Sequence, residues 1–421
     1  MIHILFWRLC LEPRRFSRGS VTYIIQAMLE YLVTLLVSTT FLARLSKEIG
    51  LSDGVTGIIS AFVSLGCLFQ LASLFLRRVR VKSFVIIMSV LNQLLFAFLY
   101  AVPLLPAGAN IKPVIFVVTI LTAYIIYNVV HPKKVDWLMG LIDDRSRGSF
   151  TAVKEIISLI AGIIFPIAMG NAVDRLYDSG NVRGAFILCG VSLLILTALH
   201  TVSLVLSPKA ETVSKQSSKL NFAAVFKNRN VLLVSVLFVL WNIAHYCAVP
   251  FYAVFQVGEL GFSLTKATVI TSIGSGVRIL VSPFLGRFAD KKGFAPMLRL
   301  CFVLAFFAFA SVIFANKETG TVCFILYYVF FSAAMGGINS SLINLVFDVA
   351  PKEIRSDALA LTQAFSGAAG FIVSVISGSL LSLLSVFGVY PQQILSVFAA
   401  LFTLVCLAFL QIFFLRGKNE S

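Results

Sequence analysis

The feature that most limits what this chain can become is an apolar segment of about 20 residues or more that recurs twelve times. The segments are 20–43, 53–76, 82–104, 112–132, 148–171, 182–206, 228–257, 263–286, 294–315, 320–347, 356–385 and 391–415. An α-helix rises about 1.5 Å per residue, so roughly 20 apolar residues cross the hydrocarbon core of a bilayer. The runs are long and continuously apolar, whereas barrel strands would alternate over about 10 residues. The expected fold class is therefore an all-α membrane protein of twelve transmembrane helices. Composition agrees: 59% of the 421 residues are hydrophobic and 12% are charged, against about 25% charged in a soluble domain.

Charge then orients the spans. With twelve spans both termini share a side. That side collects 25 of the 34 Lys and Arg residues, including Lys133 and Lys134 in the loop expected after span 4. The other side has 7, and Lys154 and Arg278 lie within spans. The bias puts both termini in the cytoplasm and the protein in the cell membrane. It also accounts for the net charge of +16 without a nucleic-acid partner. The short apolar run Ile2–Trp7 precedes Arg14, Arg15 and Arg18, the reverse of a secretory signal, so residues 1–19 read as a cytoplasmic tail. The seven cysteines are odd in number, scattered and without a CxxC pair. They read as small hydrophobes, and no metal or cofactor is expected.

One long polar stretch, Ser207–Lys219, divides the chain into six spans plus six. The expected organisation is a first bundle 20–206, a cytoplasmic linker 207–227, a second bundle 228–416 and a tail 417–421. The halves repeat. Gly50-Leu51-Ser52 matches Gly261-Phe262-Ser263, Gly66 matches Gly276, and Arg147, Gly162 and Gly170 match Arg355, Gly370 and Gly378. Duplicated halves imply substrate binding near the midplane between two bundles that rock.

Between spans 8 and 9 the chain reads Gly286-Arg287-Phe288-Ala289-Asp290-Lys291-Lys292-Gly293. This resembles the G-x-x-x-D-[RK]-x-G loop of the major facilitator superfamily, and the resemblance covers residues 20 to 416. It implies two pseudo-symmetric six-helix bundles and secondary transport. In the equivalent first-half loop, Leu76 to Lys82, the glycine and aspartate are missing. Gly286 is expected to permit close helix approach and Gly293 a tight turn. Asp290 is expected at the N-terminus of span 11, where Arg355 resembles the family's partner arginine.

Polar residues inside apolar spans mark candidate function, because charge in the bilayer is costly. Glu30 lies mid-span in a helical series with Gln26, Thr34 and Ser38. Span 4 carries Tyr124, Tyr127, Asn128 and His131. Span 7 carries Asn242, His245 and Gln256, and span 8 carries Arg278. Span 10 carries Tyr328, Ser332, Gly336 and Asn339. Spans 1, 4, 7 and 10 line the central cavity in the family that the chain resembles. A substrate cavity is therefore one expectation, and interhelical hydrogen bonding is the other. Lys154, Glu155 and Asp348, near span ends, read as interfacial or gating charges. Arg278 is a conceivable partner for Glu30.

Several signatures are missing. No nucleotide-binding GxxxxGK[ST], HExxH or nucleophile elbow occurs, so neither an ATP-driven pump nor a membrane enzyme is expected. Residues 114–130 lack the span-4 arginine of the superfamily's drug–proton antiporters. Two classes of function remain. One is a secondary transporter of a small organic solute, with protons as a candidate coupling ion, acting as a monomer; a multidrug efflux pump is its variant. The other is a transport-dead relative that senses or binds a partner.

Overall fold

The computed structural model describes residues 17–70, 81–108, 110–142, 147–208, 222–351, 354–384 and 390–415. Their regular structure is helical, with no strand. The helices are α1 (Arg18–Leu36), α2 (Thr39–Glu48), α3 (Asp53–Ser60), α4 (Phe62–Gln70), α5 (Val81–Leu99), α6 (Ile111–Met139), α7 (Arg147–Asp178), α8 (Val182–Leu206), α9 (Phe222–Lys227), α10 (Arg229–Val254), α11 (Leu264–Lys292), α12 (Phe294–Val312), α13 (Gly320–Val349), α14 (Arg355–Leu384) and α15 (Pro391–Leu410). Eleven stretches are long and apolar enough to cross a membrane, and Asp53–Gly66 forms a shorter twelfth. Large side chains such as Ile164, Phe284, Val322 and Leu383 are exposed. Water would not tolerate so much outward apolar surface, whereas lipid does. The protein is a multi-pass membrane protein.

Local chemistry sets the helix ends, and it repeats between the halves. Gly50 and Gly261 adopt left-handed φ angles of 78° and 66°, a conformation glycine enters without steric cost. Each stops a long span: the Leu51 N–H donates to the Ser46 carbonyl (3.0 Å), and the Phe262 N–H to the Gln256 carbonyl (2.8 Å). Two residues past each glycine a serine caps the next helix. The Val55 N–H donates to Ser52 Oγ (3.4 Å) and the Lys266 N–H to Ser263 Oγ (3.1 Å). The Gly-x-Ser match of the sequence is thus one stop-and-start device used twice.

The structure corrects three boundaries. The first span is interrupted: α1 ends at Leu36 and α2 starts at Thr39, a non-glycine residue with φ of 50°. The fourth span runs to Met139, with Pro132 inside it, so Lys133 and Lys134 are helical and not loop residues. Helix α11 runs to Lys292, so Gly286 to Lys292 are helical, and only Gly293, with φ of 90°, separates α11 from α12.

The chain divides into two compact units, Met1–Phe41 with Ala72–Lys215, and Leu42–Leu71 with Gln216–Ser421. The division after Lys215 falls in the expected linker, of which residues 209–221 lie outside the described residues. The segment 42–71, expected in the first bundle, groups with the second unit. There α3 and α14 meet backbone to backbone. A methyl group at Gly378 would press on the Gly54 carbonyl and Ile58, and one at Gly57 would overlap Phe251. Ser64 Oγ donates to the Gly367 carbonyl (2.8 Å). Cys189, Cys247, Cys301, Cys323 and Cys406 are buried free thiols; Cys10 and the Cys67 side chain lie outside the described residues.

Candidate functional site

A buried polar cluster lies in the first unit, among α1, α5, α6 and α8. Spacing along α1 puts Gln26 and Glu30 one turn apart on one face. Gln26 Nε2 donates to Glu30 Oε2 at 2.7 Å. Lys134 Nζ, from α6, donates to Glu30 Oε1. The side chains of Lys134 and Glu30 are 5% and 15% exposed. Beyond Gln26 the chain of contacts continues: Gln26 Nε2 lies 2.9 Å from His200 Nε2, and Gln93 Nε2 lies 3.1 Å from His200 Nδ1. Tyr127 and His131 flank the ion pair. Their rings are 5.3 Å apart, and the Lys134 ammonium lies 5.5 Å from the Tyr127 ring centre. Lys154 of α7 reaches over the Tyr23 ring at 4.9 Å, which gives it an aromatic partner on α1.

The sequence-predicted residues sort accordingly. Gln26, Glu30, Tyr127 and His131 come together. Thr34 turns its hydroxyl to the Glu30 carbonyl (3.0 Å), and Asn128 turns its amide to the Tyr124 carbonyl (2.9 Å). Tyr124 itself packs edge-on against Phe96, ring centres 5.4 Å apart. Sequence reading missed Lys134, His200 and Gln93. Lys134 continues the α6 stripe at i+3 from His131 and i+7 from Tyr127, a signal hidden once Pro132 was taken as the helix end. Among the described residues Lys134 is the ion-pair partner of Glu30, a role for which the sequence offers only Arg278 as a candidate.

The second unit arranges its polar residues differently. His245 sits among rings, stacked on Phe331 at 5.5 Å and edge-on to Tyr246 at 4.7 Å. Asn242 donates to the Phe238 carbonyl (3.0 Å) of its own helix. Gln256 Nε2 reaches the Tyr328 hydroxyl at 3.4 Å. Arg278 lies on α11, where Ser282 donates to its carbonyl (2.7 Å). The α13 stripe is largely a packing seam: a methyl at Gly274 would overlap Ser332 and Tyr328, and one at Gly336 would crowd Ser282. Asn339 is exposed, as are Lys291, Glu155 and Asp348. At Gly286 a methyl would meet nothing described within 4 Å, so the expected close approach is not found there. The side chains of Asp290 and Arg355 lie outside the described residues, as do residues 71–80 of the first-half loop.

No group of His, Cys, Asp or Glu able to hold a metal ion occurs among the described residues. The cluster's chemistry is that of an ion pair shielded from water and tied into a hydrogen-bonded chain. Such a pair can be made and broken by a proton or by a charged or strongly polar solute.

No curated protein sequence matches significantly. Among solved structures, a point mutant of the nucleoside transporter NupG superposes with a TM-score of 0.73 at 17% identity, over 94% of this chain and 100% of that one. A D-xylose–proton symporter gives 0.68 at 16% identity, over 92% and 96%. A bacterial homologue of the human lysosomal transporter Spinster gives 0.69 at 11% identity, over 95% and 97%. The family model of the Major Facilitator Superfamily matches residues 20–374. With most of its length matched by that model, the chain belongs to the major facilitator superfamily.

Proposed function

We propose that the chain moves a small polar organic solute across the cell membrane by alternating access, and that making and breaking the Glu30–Lys134 pair links solute passage to proton uptake. The observation that carries this reading is the pair itself, buried and mid-span on α1. An isolated charge at that depth costs at least about 2.5–3.5 kcal/mol on insertion scales. Buried ion pairs are seldom kept for stability, since apolar replacements of similar volume are often neutral or stabilising by about 1–4 kcal/mol. A proton on Glu30 would cancel its charge and leave the Lys134 ammonium to seek an electron-rich group. A solute carboxylate, phosphate, carbonyl or hydroxyl supplies one. The names of the similar structures, a nucleoside transporter and a D-xylose–proton symporter, favour polar solutes over amphiphilic drugs.

In this reading the halves 20–206 and 228–416 rock about the linker 207–227, and the linker and both termini are cytoplasmic. Removing Lys133 and Lys134 from the loop count leaves 23 Lys and Arg against 7, and the bias stands. Asn242, His245, Arg278 and Tyr328 contribute solute contacts from the second half. The motif Gly286, Asp290, Lys291 and Gly293, with Arg355, gates the cytoplasmic side, so Asp290→Asn reduces transport while expression stays near normal. The test is uptake into vesicles reconstituted with the purified full-length chain, under an inward proton gradient, with nucleosides, sugars and short peptides as the panel. One class accumulates against its gradient, and a protonophore abolishes the accumulation. Glu30→Gln keeps solute exchange and loses accumulation. Proton-driven accumulation of wild-type size in Glu30→Gln would overturn the coupling role, and no uptake of any class would favour the transport-dead reading.

A further inference from the structure

The chain of side chains behind Glu30 fixes where protons sit. Gln26, Gln93 and His200 are 1%, 2% and 0% exposed, so their hydrogen bonds must be satisfied by protein groups and not by bulk water. An amide nitrogen only donates, and a neutral imidazole has one donor and one acceptor nitrogen. As placed, amide nitrogens face both ring nitrogens of His200, and both cannot be donors to a ring that carries one N–H. One amide must be turned. Amide oxygen and nitrogen exchange places on a half-turn, and their assignment follows from the hydrogen-bond network. Turning Gln26 would set its oxygen 2.7 Å from an ionised Glu30 oxygen, acceptor against acceptor. Gln93 is bound by no such constraint, and its Oε1 is buried without a hydrogen-bond partner among the described residues. With Gln93 turned, His200 Nδ1–H donates to Gln93 Oε1, and His200 Nε2 accepts from Gln26, whose other N–H holds Glu30.

We infer that Gln93 and His200 are positioning residues for the Glu30 carboxylate, and that the charge on Glu30 sets the tautomer of His200 through the Gln26 amide. While Glu30 is ionised, His200 carries its proton on Nδ1. When Glu30 takes up a proton, its O–H needs an acceptor, Gln26 turns its oxygen to it, and that oxygen then accepts from His200 Nε2–H. The ring releases its Nδ1 proton and takes one at Nε2, both exchanged with water when the site opens, and Gln93 turns to donate to Nδ1. Net uptake is the single proton on Glu30. Other ionisable groups face Glu30: Tyr127, His131 and Lys134 from α6, Lys154 from α7, and Tyr23 from its own helix. They set the pH at which the change occurs; the order of hydrogen bonds sets its form. The functional half of this inference rests on Glu30 as the coupling carboxylate. The hydrogen-bond half does not.

Nitrogen-15 NMR of the full-length protein in lipid bilayers tests it. The chain has four histidines, and His200 alone follows a leucine, so carbonyl-13C leucine with 15N histidine identifies its backbone signal, and its ring is assigned from there. At a pH where the Glu30 carboxyl carbon reads as ionised, Nδ1 carries the bonded proton and Nε2 does not. On lowering the pH the proton changes nitrogen together with the Glu30 carboxyl signal. In Gln26→Leu the link is lost, and His200 no longer follows Glu30. A bare Nδ1 with a protonated Nε2 beside ionised Glu30, or a Glu30 titration that leaves the His200 ring unchanged, would overturn the inference. Neither readout uses transport, so failure of the uptake experiment with this result intact would fault the coupling role and not the network.

Discussion

The first spans of the two halves match in length and in how they end, and they are filled differently. Arg18–Glu48 and Arg229–Glu259 are both 31 residues long. Gly50 and Gly261 stop them, and Ser52 and Ser263 start the next helices. At the same spacing Glu30 falls on Trp241. Glu30 is held by Lys134 and Gln26, whereas Trp241 is 3% exposed and packs on Phe302 with ring centres 5.5 Å apart. One architecture accepts a charge or the largest aromatic side chain at the same place. The stops and caps are therefore what the fold requires. The ion pair is not, and that difference is the ground for proposing a coupling role for it.

Variants of the unshared features should differ most. Lys134→Leu strands Glu30 as an unpaired buried charge and should cost about 3–5 kcal/mol, read as loss of folded protein on thermal denaturation in detergent. The helix crossing of α3 and α14 comes next. Gly378→Val forces a side chain onto the Gly54 carbonyl and Ile58 and should cost about 1–3 kcal/mol as overpacking. The shared features should respond equally in both halves. Gly50→Ala and Gly261→Ala place a side chain at left-handed φ and should each cost about 1–2 kcal/mol. The caps give the smallest effect: Ser52→Ala and Ser263→Ala should each lower stability by about 1 kcal/mol. Unequal losses within either matched pair would break the claim that the halves share one stop-and-start device.

The spans, the repeat and the superfamily motif were legible in the sequence because each is local: run length, spacing and a short pattern carry them. Glu30 and Gln26 were legible for the same reason, being one helical turn apart. The partner of Glu30 was not. Lys134 is 104 residues away, and the cluster His131-Pro132-Lys133-Lys134 reads as a helix end until the helix is seen to run to Met139. Proline removes one backbone donor, and the long span absorbs the loss. Gln93 and His200 were hidden differently. Each is a polar residue in an otherwise apolar run, and only packing of α8 against α1 and of α5 against α8 brings them to the Gln26 network. The break before Thr39 left no signal, since no glycine or proline marks it. The α13 stripe was legible as a face, but only the structure shows that Ser332 and Gly336 pack against α11.

The central claim is that the Glu30–Lys134 pair serves transport and not folding. The most direct test pairs stability with flux in Lys134→Leu and in the double variant Glu30→Leu/Lys134→Leu. The account predicts that the double variant regains thermal stability to within about 1 kcal/mol of wild type or better, since apolar replacement of a buried pair is often neutral or stabilising, while proton-driven accumulation of the solute stays abolished. A double variant that accumulates solute at the wild-type rate would contradict it.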